Sequence, residues 1–146
     1  MLDRLGVAYA QHPYEHLVKG AAFAASALGI EPARLAKTLV VAVDGDPVFV
    51  LVPGDRELGL KALARLAGGR SAALVETRHA ERLTGYRVGG ISPFGARRAL
   101  PVYAERTYLE HDLVALNGGA RGLIIELDRE DLVRVLAPTV GDLTEA

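Results

Sequence analysis

The residues able to do chemistry lie in a few short stretches. Lys37 stands at the mouth of a long apolar run, between Ala36 and Thr38, and is one of three lysines (Lys19, Lys37, Lys61) in a chain that otherwise uses arginine. A lysine at a strand end often runs its apolar stem along the protein and leaves the ammonium in water. Held on a rigid element, the same cation binds a phosphate or polarises a developing oxyanion. Both readings fit the residues. Ser92 has glycines on both sides, which invites a hydrolase nucleophile, but Pro93 follows it. A nucleophile elbow uses the backbone N–H of that next residue in its oxyanion hole, and proline has none. The spacing Gly90-Ile91-Ser92-Pro93-Phe94-Gly95 is also one residue too long, so Ser92 reads as turn-forming or substrate-facing. His12 and His16 have a metal-ligand spacing only on a helix, which Pro13 opposes. No third ligand accompanies them, and no metal is expected.

Two glycine-rich loops could bring backbone N–H groups close to a ligand, Val88 to Gly95 and Asn117 to Gly122. A tight hairpin turn explains Asn117-Gly118-Gly119 equally well. The longer loop is harder to explain structurally, because loops this rich in glycine between regular elements often bind something. There is no Walker loop and no zinc-protease helix, and Val88-Gly89-Gly90-Ile91 does not meet the dinucleotide fingerprint. No cofactor is expected.

These residues need elements to hold them. A short strand is expected within Gly6–Tyr14 and an alanine-rich helix over Gly20–Leu28, stopped by Gly29. Thr38–Val43 and Val48–Leu51–Val52 flank Asp44-Gly45, the signature of a buried hairpin. Leu58–Leu66, with leucines at 60, 63 and 66, reads as a helix against it. Ala72–Val75 follows as a strand and Thr77–Leu83 as a helix capped by Thr77. Gly85–Gly95 must be a shaped loop. Strands are expected over Leu100–Ala104, Leu113–Leu116 and Gly122–Leu127. A last helix, Arg129–Leu136, is capped by Asp128 and ended by Pro138. Hairpins mixed with helices imply an α+β fold. The expected form is one domain over residues 1–146, with a mixed, largely antiparallel, curved sheet flanked by helices.

Composition excludes much else. At 146 residues and 50% hydrophobic, the chain can bury a core without staples. With no cysteine, disulfides, thiolate metal sites and a cysteine nucleophile are ruled out. No signal peptide and no membrane span is evident, so a soluble, cytoplasmic protein is expected. A net charge of −1 lacks the basic footprint of a protein that grips long nucleic acid, DNA included, while a short contact with a nucleic-acid end remains open.

Taken together, Tyr14-Glu15-His16, Ala36-Lys37-Thr38-Leu39-Val40-Val41-Ala42-Val43, Thr84 to Gly95 and Gly118-Gly119-Ala120-Arg121-Gly122-Leu123 resemble the YbaK-type aminoacyl-tRNA deacylases, relatives of the editing domain of bacterial prolyl-tRNA synthetase. The resemblance implies a sheet curled into a partial barrel. It also implies a trans-acting hydrolase that cleaves the ester of a mischarged tRNA, with cysteinyl- or alanyl-tRNA(Pro) as the kind of substrate. Its partners would be the aminoacyl-tRNA 3′ end and an aminoacyl-tRNA synthetase.

Residue by residue, Lys37 matches the family's essential lysine and Tyr14 a tyrosine lining the cysteinyl-specific pocket. Gly89, Gly90, Ser92 and Pro93 match a loop bordering the cleft, and Gly118 and Gly119 a turn supporting the bound end. No protein nucleophile is required in that family. One position departs from the pattern: the cysteinyl-tRNA(Pro) deacylases carry an aspartate where this chain has Ile124, which implies a more apolar pocket. Glu126, two residues on, is about 7 Å away along a strand and cannot simply replace it. The alternatives are a non-catalytic tRNA-end or synthetase-binding module, and a phosphate-binding enzyme using Lys37 and the glycine loops.

Overall fold

The framework is a hairpin, β2 (Leu35–Val43) and β3 (Asp46–Pro53), joined by Asp44 and Gly45 at φ 50° and 89°. Two successive positive φ values give a turn whose twist matches that of the flanking strands, and this is why an Asp-Gly pair sits there. The Asp44 carboxylate also accepts the backbone N–H groups of Arg70 and Ser71, each at 3.0 Å, so the turn anchors the next connection. The computed structural model describes residues 7–13, 28–87, 91–95, 99–119 and 123–145.

Around the hairpin lie β1 (Tyr9–Pro13), α1 (Leu60–Leu66), β4 (Ala72–Leu74), α2 (Thr77–Thr84), β5 (Val102–Glu105), β6 (Leu113–Asn117), β7 (Leu123–Asp128), α3 (Arg129–Leu136) and β8 (Thr139–Gly141). The strand order is β1-β7-β6-β2-β3-β5-β8, with β4 also on β2. Pairings β1–β7, β6–β7, β2–β3 and β2–β4 are antiparallel, while β2–β6, β3–β5 and β5–β8 are parallel. The sheet is mixed, antiparallel by a narrow margin, and open.

Alternation sends successive side chains to opposite faces, and the clusters follow it. Ala36 and Val40 of β2, Phe49 and Leu51 of β3, Leu116 of β6 and Ile125 and Leu127 of β7 pack on one face, the inner face, with Leu132 of α3. Val41, Val48, Val50 and Val52 face outward beneath Leu63 of α1. A third, smaller cluster lies on the outer face toward β7, where Leu35, Ala115 and Ile124 are covered by Ile30.

Several expectations are refined. The helix at 77 begins after Glu76, so Thr77 is its first residue and caps nothing; Asp128 does occupy the cap of α3, without a side-chain cap hydrogen bond. β8 was not legible, since three residues after a proline have no periodicity to read. Most of the expected helix at 20–28 lies outside the described residues, although Gly29 does carry the positive φ (69°) of a helix stop. The C-terminal segment is clipped by Glu105, 2% exposed, which accepts hydrogen bonds from Leu143 N at 2.7 Å and from Thr107 N and Oγ1 at 2.8 Å.

Candidate active site

One edge of β2 is shared by two partners. Leu35 and Ala36 pair with Ala115 and Leu116 of β6, whereas Val41 to Val43 pair with β4. Between them, residues 37–39 of that edge pair with neither β6 nor β4, and this is where the sheet divides. Lys37 stands at this point. Its other edge is fixed by β3, opposite Val52, and its side chain shares the outer face with Leu35 and Leu39.

The Lys37 side chain is 24% exposed, and its Nζ lies 3.4 Å from Glu57 Oε1, whose side chain is 82% exposed. A pair so open to water holds by about 0–1 kcal/mol. The stem of the lysine is therefore fixed by a strand while its head can exchange Glu57 for another oxygen at little cost. Next to it, Thr38 is 7% exposed and Thr38 Oγ1 has no hydrogen-bond partner, the only such buried side-chain atom among the described residues. An orphaned buried hydroxyl costs about 1–3 kcal/mol, and this one shares the inner face with Ala36 and Val40, opposite to Lys37.

Ile124 is on the same outer face as Lys37, paired with Asn117 in β6, but it is 1% exposed beneath Ile30. It is a floor residue, not the wall of an open cavity. Glu126, one step further along that face, is engaged by Arg34 in an ion pair with side chains 23% and 17% exposed. This gives a physical reason why Glu126 does not replace the missing aspartate. Beneath β6, the Tyr108 hydroxyl donates to Ala115 O at 2.9 Å, and burial raises its pKa, so it remains a protonated donor holding that strand.

The glycine loops meet on the inner face. Ser92, 2% exposed, turns its Oγ back to accept Phe94 N at 3.1 Å, the turn-forming alternative. Pro93 is buried beside it. Ser92, Phe94 and Gly118 line a cavity of about 230 Å³ together with Tyr9, Gln11, Tyr86 and Ile125. A Cβ on Gly118 would meet Ile125 Cγ2 at 2.9 Å, and one on Gly119 (φ 98°) would meet Tyr86 Cε1 at 2.9 Å. Both glycines are required by close packing of the β6–β7 turn. Lys37 and Ile124 are thus brought to one face, and Ser92 and Gly118 to the other, with the division of β2 between them. Tyr14, Gly89 and Gly90 lie outside the described residues. Among the described residues no three His, Asp or Glu side chains cluster as metal ligands, and no helix is long and apolar enough to cross a membrane.

The model of the aminoacyl-tRNA editing domain family matches residues 15–135. The chain belongs to that family. A candidate Cys-tRNA(Pro)/Cys-tRNA(Cys) deacylase of Enterococcus faecalis is 33% identical over 99% of this chain and 88% of its own length. A proline–tRNA ligase of Maridesulfovibrio salexigens is 38% identical over 60% of this chain, which matches only 14% of that enzyme. Among solved structures, a candidate trans-editing enzyme for prolyl-tRNA synthetase superimposes with a TM-score of 0.87 at 27% identity, covering 99% of this chain and 92% of its own. The editing-domain assignment fits the site just described: it offers a strand-borne cation and close-packed glycine turns, and sequence reasoning found no candidate nucleophile. Glu57, Thr38 and the Arg34–Glu126 pair were not foreseen. Glu57 and the Arg34–Glu126 pair meet partners distant in sequence, and only Thr38, as part of the Lys-Thr-Leu strand, left a local trace.

Proposed function

We propose that this protein is a free-standing deacylase that hydrolyses the ester between a small, wrongly attached amino acid and the 3′ end of tRNA(Pro) or a similar tRNA, working as a single domain over residues 1–146 in the cytoplasm. The observation that carries this reading is Lys37, the one lysine fixed on the strand where the sheet divides, in a chain of the editing family. Its ammonium is suited to leave Glu57 and donate a hydrogen bond to the ester carbonyl oxygen. Water adds to the carbonyl carbon, negative charge grows on that oxygen, and the nearby cation lowers the barrier by on the order of 3 kcal/mol. The carbon–ribose oxygen bond then breaks, the ribose oxygen takes a proton, and amino acid and tRNA leave. No protein nucleophile is needed, in keeping with a Ser92 whose Oγ faces its own turn.

The need for such a step follows from selectivity: one methylene distinguishes small amino acids by only about 1–3 kcal/mol in a synthetase pocket, so a second hydrolytic sieve is useful. The apolar cluster around Ile124 supports small apolar esters at least as well as cysteinyl ester. Tyr14, Gly89, Gly90, Ser92, Pro93, Gly118 and Gly119 complete the proposed substrate-binding set. Contact with a synthetase is proposed on the same footing. The test is a deacylation panel of alanyl, cysteinyl, seryl, prolyl and threonyl esters on several tRNAs. Turnover of at least one small ester at well above the spontaneous rate is expected, and none on any tRNA would end the catalytic reading in favour of a binding module.

A further inference from the structure

Lys37 is placed by the first residues of β2, which join β6 through a short pairing. The parallel ladder between these strands spans two residues, Leu35 and Ala36, and Lys37 comes next. Parallel pairing is also slightly weaker per residue than antiparallel pairing. On the other edge, β3 ends at Pro53 opposite Ala36, so Lys37 is one rung from the end of the hairpin as well. A cation that must meet one oxygen needs firmer support than this.

Two further ties converge on this end of β2. Gly54 N donates to Pro32 O at 3.0 Å and to Leu35 O at 2.8 Å, which fixes the 3₁₀ turn Pro32–Arg34 leading into the strand. Arg34, the last residue of that turn, then reaches past β6 to the Glu126 carboxylate of β7. Glu126 is paired with Ala115 of β6, and Ala115 with Leu35 of β2, so the ion pair follows one row of the sheet. The residue between is an alanine on that same face, whose methyl group leaves an arginine side chain room to cross. The Tyr108 hydroxyl, bonded to Ala115 O, lies near enough to feel the guanidinium: burial raises its pKa and the Arg34 charge partly opposes this. With side chains 23% and 17% exposed, the pair is more enclosed than Lys37 with Glu57 and is screened less by water and salt.

We propose that Arg34 and Glu126 are positioning residues for Lys37, a strut from β7 to the start of β2 that sets where Lys37 presents its ammonium. Both act through the backbone of β2 and not on the ester. The proposal rests on the deacylase reading for its kinetic effect, and amide hydrogen exchange tests it without turnover.

Arg34→Met, Glu126→Gln and the double variant are made in the wild type and in Lys37→Ala, with thermal melts for each, and single-turnover deacylation is measured on a small ester. Each variant should lower the wild-type kcat by about 10- to 100-fold with KM within about threefold, since a misplacement near 1 Å costs on the order of 100-fold. The double variant should match the single ones within about twofold, because all three remove one pair. In the Lys37→Ala background the same changes should cost less than about twofold more, whereas a general loss of packing would slow both backgrounds alike. Amide exchange over residues 35–37 and 115–117 should quicken by about tenfold or more, while that of residues 41–43 stays within about twofold. A kcat within about twofold of wild type, an equal loss without Lys37, or unchanged exchange at residues 35–37 would each overturn the strut. If the wild type hydrolyses no ester, the deacylase reading alone fails and exchange decides: quickening confined to the start of β2 and its β6 partners keeps the strut, and uniform or unchanged exchange removes it.

Discussion

The two faces of the sheet at the division of β2 are built from different materials. Outward, the features are charges: Lys37 with Glu57, and Arg34 with Glu126, around a small apolar floor. Inward, they are neutral: aromatic rings, one amide, and glycines that allow backbone to approach ring. Charge is useful where charge develops during a reaction, whereas neutral surface is useful where part of a ligand must be held without chemistry. The contrast teaches that the two faces of one sheet can differ in character because successive residues of a strand face opposite ways, as Ile124 and Ile125 of β7 do.

The strongest test of that division is Lys37→Ala. It should lower kcat by about 100- to 1,000-fold while leaving affinity for uncharged tRNA within about threefold. A variant that keeps more than about a tenth of wild-type kcat would remove Lys37 from the mechanism.

Next in size is Ile124→Asp, which places a carboxylate in a cluster that is 1% exposed at this residue and near Glu126. A loss of stability on the order of 3 kcal/mol is expected in denaturant titrations. In the protein that remains folded, the cysteinyl-to-alanyl ratio of kcat/KM should rise by about tenfold, because a polar partner returns to the floor. A folded variant with an unchanged ratio would mean that the floor does not read the substrate.

Glu105, at the end of β5 and bonded to the C-terminal segment, serves as the control. Its burial disfavours the charged form, but hydrogen bonds from Thr107, Leu143 and Thr144 outweigh this and lower its pKa. A carboxylate whose folded pKa lies below its unfolded value, near 4.3, contributes stability that is full above that value and is lost as pH falls through the folded pKa. Glu105→Gln should therefore cost about 2 kcal/mol at pH 7 and progressively less below about pH 4.3, with kcat unchanged. A constant cost across that range would show that the charge is not what the clip uses.

The smallest effect is expected for Glu57→Ala. Freeing the Lys37 head from so exposed a partner should change kcat/KM by less than about fivefold. A loss comparable to that of Lys37→Ala would make Glu57 a positioning residue.

Much of this was legible in the sequence where the cause is local. Asp44-Gly45 marked the hairpin because its turn demands those residue types, and leucines 60, 63 and 66 marked α1 by their period. Lys37 could be located, but not its face-to-face relation with the inner cavity. The cavity is lined from β1, β7 and residues 86 to 95, segments far apart in the chain. Likewise Tyr9, Gln11 and Tyr86 carry no shared motif and meet only after folding. Ile124 was identified as a departure from the family pattern, while its burial beneath Ile30 depended on tertiary packing that no local pattern encodes.

The pairing of β1 with β7 joins strands far apart in sequence, Tyr9 opposite Leu127. During synthesis β1 emerges long before its partner β7, whereas the β2–β3 hairpin can close as soon as Pro53 is out. Gln11 and Tyr9 therefore reach the cavity among the last pieces to arrive, after a loop closure that is slow for entropic reasons. A ribosome-bound nascent chain halted before β7 should hold the hairpin but not the inner-face cavity, to which β7 contributes Leu123 and Ile125.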